Sequence, residues 1–331
     1  MIVDIHSHLY PRCYLDDLRR ATRPPRVVEA AGQERLVLYA DQETAEGVRG
    51  ARLGPAFYDP AARLAAMDRA GVDVSVLSLG NPWFQGDSAG DAAGRAASVN
   101  DALAAICDRS GGRFRMFAAV PDGDRAATSA ELARIGGRPG VVGLLMGTRL
   151  GGRWLDRDSG TFWAQVERMG LPVFLHPHPG VGGDDLVGYG DLLRLGLGFP
   201  FETAVVAARL ILSGTLERHP ALKLILAHGG GALPALMPRL VAYAALSQET
   251  VPYPPDSLAH FWYDTLTYSP GVLRMLAESA GTARLMYGTD QPYAAADDRA
   301  LQEIIRQTGW DDAQMAGVLG GNAVACLGIE N

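Results

Sequence analysis

The amino-acid sequence predicts an α/β fold, a (β/α)8 TIM barrel with a β-rich insertion that forms a lid after the first strand. Short apolar runs bounded by turn residues recur along the chain, and stretches with helical periodicity separate most of them. Eight such runs alternating with helices favour a closed parallel barrel over an open sheet. Barrels of this kind run from about 200 to more than 400 residues, so residues 1–331 are expected to form one domain.

The eight candidate strands are short and rich in apolar residues. They are Ile2–His6, Val72–Leu79, Phe114–Val120, Val141–Met146, Pro172–His176, Lys223–Ala227, Trp262–Thr265 and Arg284–Tyr287. The stretches between them carry helix signals. Pro60–Ala70 has Asp59 as its predicted N-cap and Gly71 as its C-cap. Ser98–Arg109 places apolar residues at helical spacing, so helices are expected to link the strands.

Residues 9–58 depart from this alternation. They contain two adjacent prolines, Pro24 and Pro25, a β-rich patch at Arg35–Tyr39 and several glycines. We predict that this insertion covers the barrel mouth. A second irregular stretch, Gly180–Gly198, follows the fifth strand and is expected to belong to the same lid.

Charge and cysteine content narrow the class of protein. A net charge of −7 and a pI near 5.5 disfavour nucleic acid as a partner, because phosphate binding needs clustered cations. Cys13, Cys107 and Cys326 are odd in number and far apart, which fits a reducing cytoplasm better than a disulfide framework. The chain begins directly with a strand pattern, and no apolar run approaches the roughly 18 residues that a bilayer requires. We therefore expect a cytoplasmic protein without a membrane segment.

Five histidine and aspartate residues fall at the predicted C-terminal ends of four strands. His6 and His8 are two residues apart in the first strand, so both side chains point to one face. His176 and His228 end the fifth and sixth strands, and Asp290 follows the eighth. Barrel active sites are built at this face. The alternative, a chance His-x-His and scattered surface residues, requires a separate coincidence at each strand, so the sequence predicts a site for metal binding and proton transfer.

Motifs spread along the chain match those of a known superfamily. They are Val3-Asp-Ile-His-Ser-His8, Tyr58-Asp-Pro60, Met67-Asp-Arg-Ala-Gly-Val-Asp-Val74, Phe174-Leu-His-Pro177, Leu210-Ile-Leu-Ser-Gly214, Ala227-His-Gly-Gly-Gly231, Tyr287-Gly-Thr-Asp290 and Gly321-Asn-Ala323. In these stretches the sequence resembles the amidohydrolase superfamily. Within it, the sequence is similar to aminocarboxymuconate-semialdehyde decarboxylase and related aromatic-acid decarboxylases. The matching stretches run nearly from end to end.

The resemblance implies a mononuclear centre in which His6, His8, His176 and Asp290 bind one divalent metal and water completes the coordination. Zn²⁺ is the expected ion, and nitrogen and carboxylate ligands also accommodate Mn²⁺ or Fe²⁺. Binuclear members of the superfamily bridge two ions with a carboxylated lysine on the fourth strand. The only lysine here, Lys223, begins the sixth strand at the opposite end of the barrel, which supports a single metal.

The resemblance also implies an activity. His228 would act as the acid/base, with Asp290 counted beside it among the catalytic residues; the alternatives for His228 are a fifth ligand or a structural histidine. Metal-bound water and His228 would supply the proton that replaces the departing carboxylate. The implied enzyme is a metal-dependent carboxy-lyase that decarboxylates a small aromatic or muconate-like carboxylic acid without oxidation.

Carboxylate substrates need cationic partners, and a guanidinium group matches a carboxylate in bidentate fashion. The resemblance assigns substrate contacts to Arg52, or after a small shift to Arg49, and to Arg239. In the family, the arginine at the position of Arg239 reaches into the neighbouring subunit's site, which implies a homodimer. His178 is a further candidate for substrate contact, although the family usually has an aromatic residue there. The alternative for each arginine is a solvated surface charge.

Other functions remain compatible with the same residues. A metal-activated water beside a base can also attack a carbonyl or a double bond, as in a lactone or amide hydrolase or a hydratase. Release of CO₂ without incorporation of water distinguishes decarboxylation from both. A metal-containing scaffold without activity is a third interpretation, and it predicts that replacing His228 changes nothing.

Overall fold

The computed structural model describes residues 1–84, 89–121, 125–157, 160–178, 181–247 and 256–330. Its centre is a sheet of eight parallel strands that follow one another in chain order. Numbered β1 to β8, these barrel strands are Val3–His8, Val74–Ser78, Phe114–Ala119, Val141–Met146, Val173–Leu175, Leu224–Leu226, Phe261–Asp264 and Leu285–Met286. The amide of Ile5 donates to the carbonyl of Tyr287 at 2.9 Å, which joins β8 to β1 and closes the barrel. The predicted fold class is confirmed.

Twelve α-helices, α1 to α12, lie within the described ranges. They are Arg12–Arg20, Pro60–Ala70, Ala89–Asp108, Arg125–Ile135, Thr161–Met169, Phe199–Leu212, Thr215–Arg218, Leu233–Ala244, Pro270–Ala280, Asp298–Arg306, Asp312–Ala316 and Asn322–Leu327. The predicted caps of α2 are confirmed. The Asp59 carboxylate accepts from the amide of Ala61 at 2.9 Å, and Gly71 adopts a left-handed φ of 70°.

The barrel strands are buried on both faces, because helices cover the outside and side chains fill the inside. The seventh strand begins one residue earlier than predicted, at Phe261, and ends at Asp264. Phe174 on β5 stacks on Phe117 of β3, with ring centroids 5.4 Å apart. Phe174 also contacts the ring of His6 edge-on at 4.8 Å. An apolar floor therefore lies directly beneath the polar residues at the strand ends.

The insertion after β1 is rich in β-structure, as predicted. Arg26–Ala30, Gln33–Val37 and Ala51–Arg52 form a three-stranded antiparallel sheet. Ala31 and Gly32, with φ values of 52° and 72°, make the tight turn between the first two strands. A smaller hairpin of Glu43–Thr44 and Gly47–Val48 follows along the chain.

A buried polar cluster joins this insertion to the irregular segment after β5. Arg194 donates to both carboxylate oxygens of Asp41, at 2.8 and 3.0 Å, and to Asp191 at 2.8 Å. The Gln42 amide donates to Asp191 at 2.8 Å, and the Arg194 guanidinium lies 4.2 Å from the Tyr39 ring centroid. The two stretches predicted to form one lid are therefore in direct contact.

The second lid stretch was predicted as Gly180–Gly198. Its first residue, Gly180, lies outside the described residues. Within the described part, short 3₁₀ turns at Gly183–Leu186 and Tyr189–Asp191 lead into a π-turn at Arg194–Gly198.

The 19-residue helical stretch Arg194–Leu212 is long and apolar enough to cross a membrane by length and composition, and its most apolar 18-residue window has a mean hydropathy of 1.6. Half of its most apolar window is buried inside the protein, where Val206 and Leu210 are fully covered. A core helix of a soluble protein passes the same test. The expectation that no stretch reaches this length therefore needs correction. Charged residues interrupt the apolar run within Arg194–Leu212, but the mean hydropathy of the stretch is still high.

Candidate metal centre

Four of the predicted site residues converge at the C-terminal end of the barrel. One ligand atom from each of His6, His8, His176 and Asp290 lies within 4.8 Å of all the others. The Nε2 atoms of His6 and His8 are 3.2 Å apart. An Asp290 oxygen lies 3.3 Å from the first of these nitrogens and 3.1 Å from the second. The β1 alternation, the end of β5 and the loop after β8 thus bring three imidazoles and one carboxylate to a single point.

Hydrogen bonds at the far side of each ring direct Nε2 toward this point. His6 Nδ1 lies 2.7 Å from Asp264, and His176 Nδ1 lies 2.8 Å from the Pro177 carbonyl. Because both partners accept, each Nδ1 carries a proton, and Nε2 is the nitrogen of each ring that can bind a metal. His8 Nδ1 lies 2.9 Å from the Ser78 hydroxyl. This is the arrangement in which histidines bind metals.

The four converging residues differ in pKa and therefore in charge near pH 7. Burial lowers the pKa of both His8 and His176, so these rings are neutral near pH 7. Burial opposes ionisation of Asp290, but the charge of His6 and hydrogen bonds from His6 and His8 outweigh it and hold this pKa well below its usual range. Burial also acts to lower the pKa of His6, yet the charges of Asp290 and Asp264 raise it to about 10.

The loop that presents Asp290 is shaped by a close approach to β1. A side-chain carbon added at Gly288 would lie 2.8 Å from Cβ of His6, so only glycine fits there. Asp290 has a φ of 60°, a left-handed conformation that aspartate tolerates better than most residues, and its amide donates to the His6 carbonyl at 2.7 Å. The Gly288-Thr289-Asp290 motif therefore holds the carboxylate against the strand that carries two of the histidines.

His228 stands beside these four residues rather than among them. Its ring centroid lies 5.3 Å from those of both His6 and His176. Within the described part of the chain, its Nδ1 is buried and has no hydrogen-bond partner. Burial, with the charge of His6, lowers the pKa of His228. A half-buried histidine whose Nδ1 is buried and unpaired among the described residues, next to converging ligands, fits an acid/base beside a bound ion.

The centre fits a divalent metal by the chemistry of its donors. Three imidazole nitrogens and one carboxylate oxygen are ligands that Zn²⁺ and Mn²⁺ accept. With four protein ligands, a position for water or substrate requires five- or six-coordination, which Mn²⁺ adopts readily and Zn²⁺ can reach.

The contacts recorded for the predicted substrate arginines are with residues other than the four converging ligands. Arg52 is exposed on the insertion sheet, opposite Arg35. Arg49 is half-buried and donates to the carbonyl of Asp41 at 2.6 Å. Arg239 is exposed on α8, and its guanidinium lies 4.5 Å from the ring centroid of Tyr243. In the ranges the structure describes, none of these arginines forms a hydrogen bond or ion pair with the four converging residues.

His178 lies close to the centre. Its ring stacks on that of Trp83, with centroids 4.6 Å apart, and its Nε2 lies 3.1 Å from the Pro82 carbonyl. The Trp83 ring also lies 5.7 Å from the ring of His176. Burial lowers the pKa of His178 to about 4, so it contributes a neutral ring near pH 7.

Aromatic side chains form another wall of the site. Tyr293 lies 6.1 Å from the His8 ring, and its hydroxyl is 2.5 Å from that of Tyr10. Phe57 packs edge-on against Tyr293 at 5.1 Å. Burial raises the pKa of Tyr293, which keeps its hydroxyl protonated. This wall joins the insertion to the loop after β8.

Two residues that support the site, Asp264 and Ser78, are not among those predicted from the sequence. Asp264 is the last residue of β7, and Ser78 is the last residue of β2. Their position at strand ends is the only signal in the sequence, and many other residues share it. Their role is visible only in the hydrogen bonds that they make to His6 and His8.

Comparison with known proteins agrees with this geometry. A family model described as amidohydrolase matches residues 3–329. The 2-amino-3-carboxymuconate-6-semialdehyde decarboxylase of Dictyostelium discoideum is 29% identical over 82% of this chain and 77% of its own length. The gamma-resorcylate decarboxylase of Rhodococcus jostii is 33% identical over 70% of this chain and 76% of its own. These relatives confirm the predicted resemblance and support a carboxy-lyase.

Solved structures give the same result. The apo crystal structure of IDCase from Metarhizium anisopliae superimposes with a TM-score of 0.92 at 28% identity, covering 100% of this chain and 98% of that one. A dihydroxybenzoic acid decarboxylase from a Polaromonas species, solved with bound manganese and 2-nitroresorcinol, has a TM-score of 0.76 at 25% identity and covers 100% and 97% of the two chains. Together with the converging ligands, these similarities support a divalent metal at this centre. The chain belongs to the amidohydrolase family.

Proposed function

We propose that this protein decarboxylates a small aromatic carboxylic acid without oxidation, with a divalent metal held by His6, His8, His176 and Asp290. The observation that carries the proposal is the position of His228, a half-buried residue beside the four converging ligands, whose buried Nδ1 has no hydrogen-bond partner among the described residues. The decarboxylases among the relatives act on compounds of this class by name. A hydrolase or hydratase on the same residues is not favoured by these relatives.

The chemistry requires a proton at the ring carbon that bears the carboxylate. A bound divalent metal supplies positive charge that orients and polarises oxygen atoms of the substrate. Burial lowers the pKa of His228, so the ring first takes up a proton from solvent water, which leaves hydroxide, and then delivers that proton to the ring carbon of the substrate. The bond to the carboxylate carbon breaks, and its electron pair returns to the ring as CO₂ leaves. Phe174 beneath the site and Tyr293 beside it exclude water from the ring.

We propose Zn²⁺ as the resident ion and Mn²⁺ as the second candidate. A set of three histidines and one carboxylate suits Zn²⁺. Manganese occupies the Polaromonas decarboxylase, which has the same fold. Metal analysis of protein purified without added metal decides between the two.

A homodimer is the proposed assembly. Leu236, Tyr243 and Leu246 on and after α8 are 40%, 56% and 76% exposed, which leaves an apolar surface around Arg239. Burying this surface against a second copy would bring Arg239 to the subunit boundary, where it can meet the substrate carboxylate of the partner subunit. Arg49 or Arg52 is the proposed cation from the insertion of the same chain.

The test measures metal content and then CO₂ release from a panel of hydroxybenzoates, aminobenzoates and muconates. Turnover in D₂O should place one deuterium on the ring carbon that loses its carboxylate. A His228→Ala variant should retain metal and lose CO₂ release. One metal per chain with no CO₂, and ¹⁸O from labelled water in a product, would replace this proposal with hydrolysis or hydration.

A further inference from the structure

A single buried carboxylate connects the centre to the loop that carries His228. Asp264 ends β7 and is fully buried. Its Oδ2 accepts from His6 Nδ1 at 2.7 Å and from the backbone amide of His228 at 2.8 Å. Its Oδ1 accepts from the amides of Gly229 at 2.8 Å and Leu266 at 3.1 Å. Each oxygen therefore receives two donors.

The loop after β6 depends on these contacts for its shape. His228 and Gly229 have φ values of 57° and 61°, a left-handed conformation that is unfavourable for histidine. Their two amides point at the Asp264 carboxylate rather than at another strand. Because an unpaired buried amide is costly, the carboxylate helps to hold His228 in this strained conformation.

We propose that Asp264 is a positioning residue that couples the metal ligand His6 to the acid/base His228. The same oxygen that keeps the proton on Nδ1 of His6 also fixes the backbone of His228. Displacement of the loop that carries His228 would therefore shift Asp264 and weaken its hydrogen bond to Nδ1 of His6. Loss of that hydrogen bond would in turn displace the loop. The inference rests on the proposed function for the role of His228 as acid/base. Its effect on the metal affinity of His6 does not depend on which substrate the enzyme uses.

Replacement of Asp264 by asparagine must break one half of this arrangement. An asparagine has one acceptor oxygen and one donor NH₂ group, whereas both carboxylate oxygens here face two donors. If the NH₂ group lies on the His6 side, it opposes the proton on Nδ1 and favours the tautomer that cannot bind metal. If it lies on the other side, it faces the amides of Gly229 and Leu266 and displaces the loop.

Asp4 offers a matched control. It is a buried carboxylate near the start of β1 that accepts from the His6 amide at 3.1 Å, from the Thr289 amide at 3.1 Å and from the Thr289 hydroxyl at 2.8 Å. An asparagine can keep all three contacts, because its NH₂ group can donate to the hydroxyl oxygen. Asp4→Asn therefore makes the same chemical change near the centre without opposing donors.

The experiment uses Co²⁺ as a spectroscopic probe, with affinity measured by competition with a chelator. Asp264→Asn should lose roughly tenfold to a hundredfold in Co²⁺ affinity or, at saturating metal, in turnover, while Asp4→Asn should change each by less than about threefold. Thermal unfolding of the metal-free proteins checks that both variants fold. An Asp264→Asn protein that matches Asp4→Asn in both measurements would refute the proposal.

A second variant tests the coupling from the loop side. A side-chain carbon at Gly229 would lie 2.5 Å from a methyl group of Thr267, and the left-handed φ of 61° disfavours alanine, so Gly229→Ala strains the loop without replacing Asp264 or His6. If the carboxylate couples the two, Co²⁺ affinity should fall by at least about threefold although no ligand is altered. Unchanged Co²⁺ affinity would contradict coupling. Because this measurement needs no substrate, failure to find a decarboxylation substrate would count against the proposed function and not against this inference.

Discussion

Metal binding to this centre should release one proton per ion near pH 7. Of the four converging residues, His8 and His176 are neutral and Asp290 is ionised, so none of these has a proton to release. His6 is different, because Asp290 and Asp264 raise its pKa to about 10 against the effect of burial. Metal must displace this proton, so affinity rises with pH up to that pKa and is weakest in acid. Between pH 7 and 10 the gain is about tenfold per pH unit, or roughly a thousandfold.

Isothermal titration calorimetry with Mn²⁺ measures this proton directly. Titrations at pH 7.5 in two buffers with different ionisation enthalpies give the number of protons released, and we expect one. His178→Gln is the control, since burial lowers the pKa of His178 to about 4 and it has no proton to lose. The His178→Gln variant should release the same single proton when it binds Mn²⁺. Release of no proton, or an affinity that does not change between pH 7 and 9, would show that His6 is already neutral and would refute the reasoning.

Three further predictions concern the ligands, the lid and the core. His176→Ala should lose bound metal whereas His228→Ala should keep it and lose turnover, and equal metal loss in elemental analysis would contradict the division of roles. Arg194→Leu should raise KM several-fold at unchanged metal content, because Arg194 links the two lid segments, and an unchanged KM would separate the lid from substrate binding. Trp163→Ala should destabilise the protein by about 3–5 kcal/mol in urea unfolding, since this ring is 1% exposed; a cost below about 1 kcal/mol would indicate that the cavity collapses.

Much of the fold follows from local patterns in the sequence. Eight apolar runs separated by helical stretches predict the barrel, and each run contains or overlaps one observed strand. Strand ends shift by a few residues, as at β5, where regular pairing stops at Leu175 before His176. Pairing at the mouth of a barrel ends where loops diverge, and neighbouring strands decide that point.

The convergence of His6, His8, His176 and Asp290 was also predictable, because parallel barrel strands place their C-terminal ends at one face. The alternation in β1 alone puts two histidines on one side. The positions of the candidate arginines were not predictable to the same degree. Arg52 lies in the insertion sheet, where pairing with another strand decides which way its side chain faces.

The sequence by itself determined the fold class, the residue types of the centre and the face of the barrel on which they meet. Only the tertiary structure decided how those residues are charged and held. Asp264 contacts His6 across 258 positions of the chain, and no local pattern relates them. The raised pKa of His6 and the left-handed backbone of His228 both depend on that carboxylate. Such properties depend on distances between strands far apart in sequence, and only folding sets those distances.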